Sequence, residues 1–220
     1  METKKSGSIV LFNIPPALHK SIRQACRSGL KHARQELCVK DTVEILVLYD
    51  PSELSENPSY RSRAGGMSKN ALYVNINAKK QLTAKALRGL ESTIAHEYLH
   101  CLRWNIRIAT VLDNFINEGL SCYLQSYLYE EPEYLDIEGT RIEHLRKWWR
   151  WWRSPYLYKP FTSVSSSNFL SHRPTREAGY RIGYYIVTSF LDAHPQVTLR
   201  DFPTIRYKRI HDFARSLFNK

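Results

Sequence analysis

Apolar residues recur along this chain with two periods. Leu18, Ile22, Ala25, Leu30 and Ala33 stand at helical spacing among basic residues and predict a helix over Ala17 to Glu36. Pro15 and Pro16 sit just before it, where a helix tolerates proline. Thr42 to Leu48, TVEILVL, is apolar enough for a strand inside a sheet. Pro51 to Asn70 reads as a long loop rich in Ser, Pro and Gly. In Ala71 to Asn77 the apolar Leu72, Val74 and Ile76 alternate with Tyr73, Asn75 and Asn77, which predicts a half-buried strand at a sheet edge. Ala86, Leu87, Leu90, Ile94 and Leu99 then mark a helix, with no Gly or Pro from Leu90 to Asn105.

The second half reads as helical. Val111 to Tyr129 has Leu112, Phe115, Ile116, Leu120, Tyr123 and Leu124 on one side. Glu177 to Ala193 has Ile182, Ile186, Ser189 and Phe190. A short helix is expected over Thr198 to Pro203, and a final amphipathic one with Ile210, Phe213, Ala214 and Leu217 inward. Between these, four tryptophans stand among basic residues in RIEHLRKWWRWWRSPYLYKPF. They are expected to pack this arm, 131–177, onto the core, or else to wall a cleft. No repeat or linker divides the chain, so one domain over 1–220 is expected, with a helix-and-sheet part at 1–90 and a mainly helical part at 91–220.

Candidate chemistry centres on Thr93 to His100, TIAHEYLH. Positions four apart share a helix face, so His96 and His100 can bring two imidazoles to one metal ion. Glu97 lies beside them, about 100° round the helix, where it can take a proton from a water at the metal. Zinc in a catalytic site takes three protein ligands. Glu118, in Asn117-Glu118-Gly119-Leu120-Ser121, stands among apolar residues, where a carboxylate needs a cation or another partner. Asp113 competes for that role but looks more like a first-turn helix residue.

Charge and cysteines add less. Lysines and arginines number 32 against 21 acids, a net +11, which favours anionic partners. The basic residues are spread over every segment, so a nucleic-acid role is weighed below a solvated basic surface. No apolar run reaches membrane-spanning length, and the short N-terminal apolar run is broken by Asn13 and two prolines, unlike a signal peptide. Cys26, Cys38, Cys101 and Cys122 show no metal spacing and are expected as reduced thiols in a cytoplasmic protein.

H-E-x-x-H followed by a helical hairpin and N-E-G-L-S resembles the gluzincin metallopeptidases. NEGLSCYL is similar to the N-E-G stretch of aminopeptidase-N-like enzymes, whose Glu is the third zinc ligand; the resemblance implies that role for Glu118. Tyr180-Arg181-Ile182-Gly183 is similar to their Tyr-x-x-Gly, which implies Tyr180 as the group that steadies the transition state, ahead of Tyr184 and His172. Gly65-Gly66-Met67 is similar to their Gly-x-Met before the cleft strand, although no acid follows it here. Seventeen residues separate His100 from Glu118, one fewer than in the aminopeptidases, and Cys122 stands where thermolysin-type enzymes have Asp. The arrangement looks nearer to the YjaZ-like predicted Zn-dependent proteases. A metzincin is excluded, because Arg103 and Ile106 stand where that pattern needs Gly and His.

The expected fold is therefore α+β: a small mixed sheet with an edge strand beside a zinc-binding helix, and a mainly helical C-terminal part. The expected cofactor is Zn2+ on His96, His100 and Glu118. Glu97 is the expected base, Tyr180 the oxyanion donor, and Tyr73 and Tyr184 the expected contacts to a peptide or protein substrate. The rival readings are a nucleic-acid-associated protein and a non-catalytic, zinc-stabilised interaction domain. The sequence points to no oligomeric state.

Overall fold

In the computed structural model the described residues are 7–49, 64–76, 82–129, 142–153, 157–160 and 178–218. The chain divides into two compact units, Met1–Asn105 and Ile106–Lys220.

The first unit pairs a four-stranded sheet with two helices. β1 (Ile9–Phe12) precedes a 3-10 turn (Pro16–Leu18) and α1 (His19–Glu36). β2 (Glu44–Tyr49), β3 (Ala64–Ser68), β4 (Ala71–Ile76) and α2 (Ala84–Leu102) follow. The spatial order is β1-β2-β4-β3. β1, β2 and β4 are parallel, and β3 returns antiparallel on β4. Val43, Ile45, Val47, Leu72 and Val74 are buried, as are Ile22, Ala25, Cys26 and Ala33 of α1. α1 approaches α2 closely at Gly29, where a Cβ would stand 2.4 Å from the Glu91 carbonyl oxygen. Tyr98 ties α2 to the chain before β2 by donating its hydroxyl to the Asp41 carbonyl at 2.8 Å.

Two expectations about this sheet need correction. β4 is not the edge: it lies between β2 and β3. Its alternation records two faces of unequal burial, with Leu72, Val74 and Ile76 buried and Tyr73 and Asn75 half-buried. Alternation carries no information about lateral position in a sheet. Among the described strands the edge on this side is β3, which was expected as the end of a loop. Two glycines and no apolar alternation hide it; pairing with β4 through Gly65↔Tyr73 and Gly66↔Leu72 makes it a strand. β1 was also not expected as a strand, because IVLF is short and closes on Asn13 and two prolines. Asn13 takes the left-handed conformation, φ 56°, which asparagine tolerates and which turns the chain toward α1.

The second unit holds α3 (Val111–Leu128), α4 (Ile142–Arg153), α5 (Ala178–Ala193) and α6 (Lys208–Phe218). α3 and α5 form its central pair. Gly119 and Gly183 let them touch: a Cβ on Gly119 would lie 2.2 Å from the Gly183 carbonyl oxygen, and one on Gly183 would lie 2.0 Å from that of Phe115. α4 packs through Leu145 and Trp149, both buried, and Trp149 stacks on Phe218 at 4.4 Å. The rest of the Trp/Arg-rich arm that matters for the cleft expectation lies outside the described residues. A 3-10 turn (Leu199–Asp201) leads to α6, whose Ile210, Ala214 and Phe218 are buried. No helix among the described residues is long and apolar enough to cross a membrane.

Candidate metal centre

α2 begins at Thr83, whose hydroxyl accepts from the Ala86 amide at 3.1 Å. Its second half is buried nearly all round: Ile94, Ala95, His96, Glu97, Tyr98, Leu99 and Cys101 are all inside. A helix this apolar on every side belongs to a core, so His96 and Glu97, 7% and 8% exposed, are polar groups placed where water is scarce. The Nε2 atoms of His96 and His100 stand 3.1 Å apart, with the rings 76° from coplanar. Two zinc–nitrogen bonds of about 2.0–2.1 Å at a tetrahedral angle put their nitrogens about 3.3 Å apart, so the imidazole pair fits that metal. His96, His100 and Glu118 form a group able to hold a metal ion: one ligand atom from each lies within 4.8 Å of the others. Two histidines and a carboxylate are a donor set zinc uses in catalytic sites.

β3 borders the end of α2. A Cβ on Gly66 would stand 3.8 Å from His100 Cβ and 3.7 Å from Cys101 Sγ, ordinary contact distances. The Cys101 thiol donates to the Ala71 carbonyl at 3.4 Å. Burial, with Glu97 adding to it, pushes that thiol up to about 12. Tyr73 is elsewhere. Its ring crosses Gly65, and successive strand residues point to opposite faces, so Tyr73 lies on the face away from His100.

α3 carries Glu118 and is fixed at its start by polar contacts. Thr110 and Asp113 form a reciprocal cap: the Asp113 amide donates to Thr110 Oγ1 at 3.2 Å, and Asp113 Oδ2 accepts from the Thr110 and Ala109 amides at 2.8 and 2.9 Å. Asp113 Oδ1 meets His211 Nε2 of α6 at 2.8 Å. Burial alone would raise the Asp113 carboxyl; the His211 hydrogen bond and the two amides outweigh it and hold the group below its usual value. Asp113 is thus taken up in capping, as its first-turn position suggested. One turn on, Asn117 Oδ1 accepts from the buried Tyr207 hydroxyl at 2.9 Å. Neither partner, His211 of α6 nor Tyr207 just before it, carries a signal in the sequence, being 98 and 90 residues away.

Tyr180 is half-buried in the first turn of α5. It stands one turn before Gly183, and Glu118 immediately precedes Gly119, so the α3–α5 crossing sets the positions of both. Tyr184 lies on the same face of α5, with its ring 6.4 Å from that of Tyr123. His172 lies outside the described residues.

A His-x-x-x-His pair on a buried helix thus shares one potential ligand group with a carboxylate, in an α+β fold. A family model described as Predicted Zn-dependent protease (DUF2268) matches residues 22–212, and the chain belongs to that family. No curated protein matches the chain. Among solved structures it is similar to an aminopeptidase N family protein from Idiomarina loihiensis, with a TM-score of 0.50 and 13% identity. The match covers 100% of this chain and 41% of that one, and the likeness is one of fold.

Proposed function

We propose that this protein is a zinc-dependent peptidase, one domain spanning the whole chain, which works in the cytoplasm on peptide or protein substrates. The observation that carries the reading is the ligand group of His96, His100 and Glu118 in a family described as Zn-dependent proteases. The free state of all four cysteines suits a reducing compartment.

His96 and His100 would hold zinc through Nε2, and Glu118 through a carboxylate oxygen. When bound, zinc lowers the pKa of a water toward neutrality and polarises the scissile carbonyl. Glu97 accepts the proton of the attacking water on a carboxylate oxygen, then delivers it to the nitrogen of the leaving amine. Its burial keeps competing water scarce. The Tyr180 hydroxyl donates to the oxygen that gains charge as the carbonyl is attacked. Tyr184 lines the same face of α5 for the substrate. Tyr73 faces away from His100 and has no part in this scheme. An extended peptide lies along β3, which borders His100 and ends the sheet among the described strands; main-chain hydrogen bonds supply the grip.

The test is zinc content after dialysis, for the wild type beside Glu118→Ala. About one zinc per wild-type chain and a clear loss in the variant are expected, followed by cleavage in a peptide-library assay. Zinc that is absent, or indifferent to Glu118, would sink the reading.

A further inference from the structure

We infer that the face of α1 carrying Arg23, Arg27, Lys31 and Arg34 binds the sugar–phosphate backbone of single-stranded nucleic acid. The four residues follow one another at intervals of four, four and three, so they form one row on the helix. At 1.5 Å per residue the row is about 16 Å long. All four line a cavity of about 720 Å3, whose remaining lining includes Gly7 to Ile9 at the start of β1 and Thr42.

The row is prepared for an anion. Arg23 Nη1 donates to the Ile9 carbonyl, and Arg34 Nη2 donates to the Lys40 carbonyl at 3.0 Å. The two end guanidinium groups are therefore held, which lowers the ordering cost of binding. Arg27 and Lys31 between them are exposed and have no carboxylate partner among the described residues. Glu44 touches the lining through Ser8 Oγ at 3.3 Å and bonds none of the four cations. α1 holds five Lys and Arg against one acid, Glu36.

The shape of the charge decides the ligand. A single phosphate is met by cations that converge on a point; a row about 16 Å long suits a chain of phosphates. Three of the four are arginines, which match phosphate oxygens with two parallel donors. The row lines one wall of a half-open depression. Among the described residues its lining has no aromatic side chain, so the contact is to backbone, without sequence preference. None of the residues assigned to the peptidase site is on α1, so binding and hydrolysis are separable.

The experiment is fluorescence anisotropy of the full chain with a labelled oligothymidylate of about twelve nucleotides, within the range of single-strand site sizes. Four phosphate contacts predict a slope of log K on log salt of about −2.8. Arg27→Glu with Lys31→Glu removes two contacts, lowering the slope to about −1.4 and weakening binding about 25-fold at 0.1 M salt. The paired Gln substitutions lower the slope without reversing charge, and keep the test readable if the reversal disturbs folding. The same charge change at the exposed Arg206 and Lys208 leaves the affinity within about two-fold, since neither lines the cavity. Absence of wild-type binding, an equal loss in the Arg206/Lys208 control, or equal affinity for a duplex of that length would overturn the inference.

Discussion

Gly119 of α3 and Gly183 of α5 meet backbone to backbone, with the Gly183 carbonyl oxygen 2.2 Å from where a Gly119 side chain would begin. The groups pressed together are main chain, so neither can swing aside. Alanine at either position must part the helices. Overpacking of this kind costs on the order of 3 kcal/mol, a fall in melting temperature of about 6 °C or more for a chain of this length. Zinc affinity falls with it, because Glu118 is the neighbour of Gly119. Thermal unfolding and zinc titration of Gly119→Ala and Gly183→Ala check both effects.

Glu97 and the three residues proposed to hold zinc separate cleanly by substitution. Glu97→Gln keeps the shape and removes the proton acceptor. Zinc content and melting temperature are expected to stay near wild type while turnover falls about 10²- to 10⁴-fold. An undiminished rate would remove Glu97 from the mechanism.

Tyr180 is expected to matter mainly to kcat. Losing one donor to a developing oxyanion costs about 10²- to 10³-fold, so Tyr180→Phe lowers kcat by that order with little change in KM. Tyr184→Phe changes KM more than kcat. The reverse pattern would exchange the two roles.

The Asp113–His211 contact predicts a loss of stability in acid. The Asp113 carboxyl is held below 3.8 in the folded chain, so the unfolded chain takes up its proton first as pH falls. The contribution is whole above 3.8, declines below that value, and is gone once pH has fallen through the lower folded value. Asp113→Ala removes this part of the acid dependence. It also leaves two amides and His211 without their acceptor, at a cost of about 1–3 kcal/mol at neutral pH. Denaturant melts of both proteins from pH 3 to 7, about one unit apart, resolve the two effects.

Thiol labelling reads out burial. Cys38 is exposed, while Cys26, Cys101 and Cys122 are buried, and burial pushes the Cys26 thiol up to about 12. A thiolate reagent at about pH 8 should therefore titrate one group rapidly in the native protein and four in denaturant. Rapid labelling of Cys101 in the native state would contradict its packing against Ala71.

Much of the candidate centre was legible because its chemistry is local. His96, Glu97 and His100 lie within five residues of one helix, and Glu118 was marked by a carboxylate in an apolar run. Helical periodicity found α1, α2, α3 and α5 because each buries a face over several turns. β3 escaped because its two glycines have no side chains to alternate; only the backbone of β4 makes it a strand. The lateral place of β4 escaped because periodicity reports faces, not neighbours. The Asn117–Tyr207 and Asp113–His211 contacts escaped because each joins residues at least 90 apart, and a lone Tyr or His carries no mark of its partner.

Those two contacts also set an order in time. α3, which carries Glu118, is pinned by Tyr207, just before α6, and by His211 of α6, synthesised 90 and 98 residues after Asn117 and Asp113. At about 5–20 residues per second on the ribosome, a nascent chain holds Glu118 for between about 5 and 20 s before the anchors of its helix emerge. The helix that carries Glu118 is thus anchored by contacts that form late in synthesis.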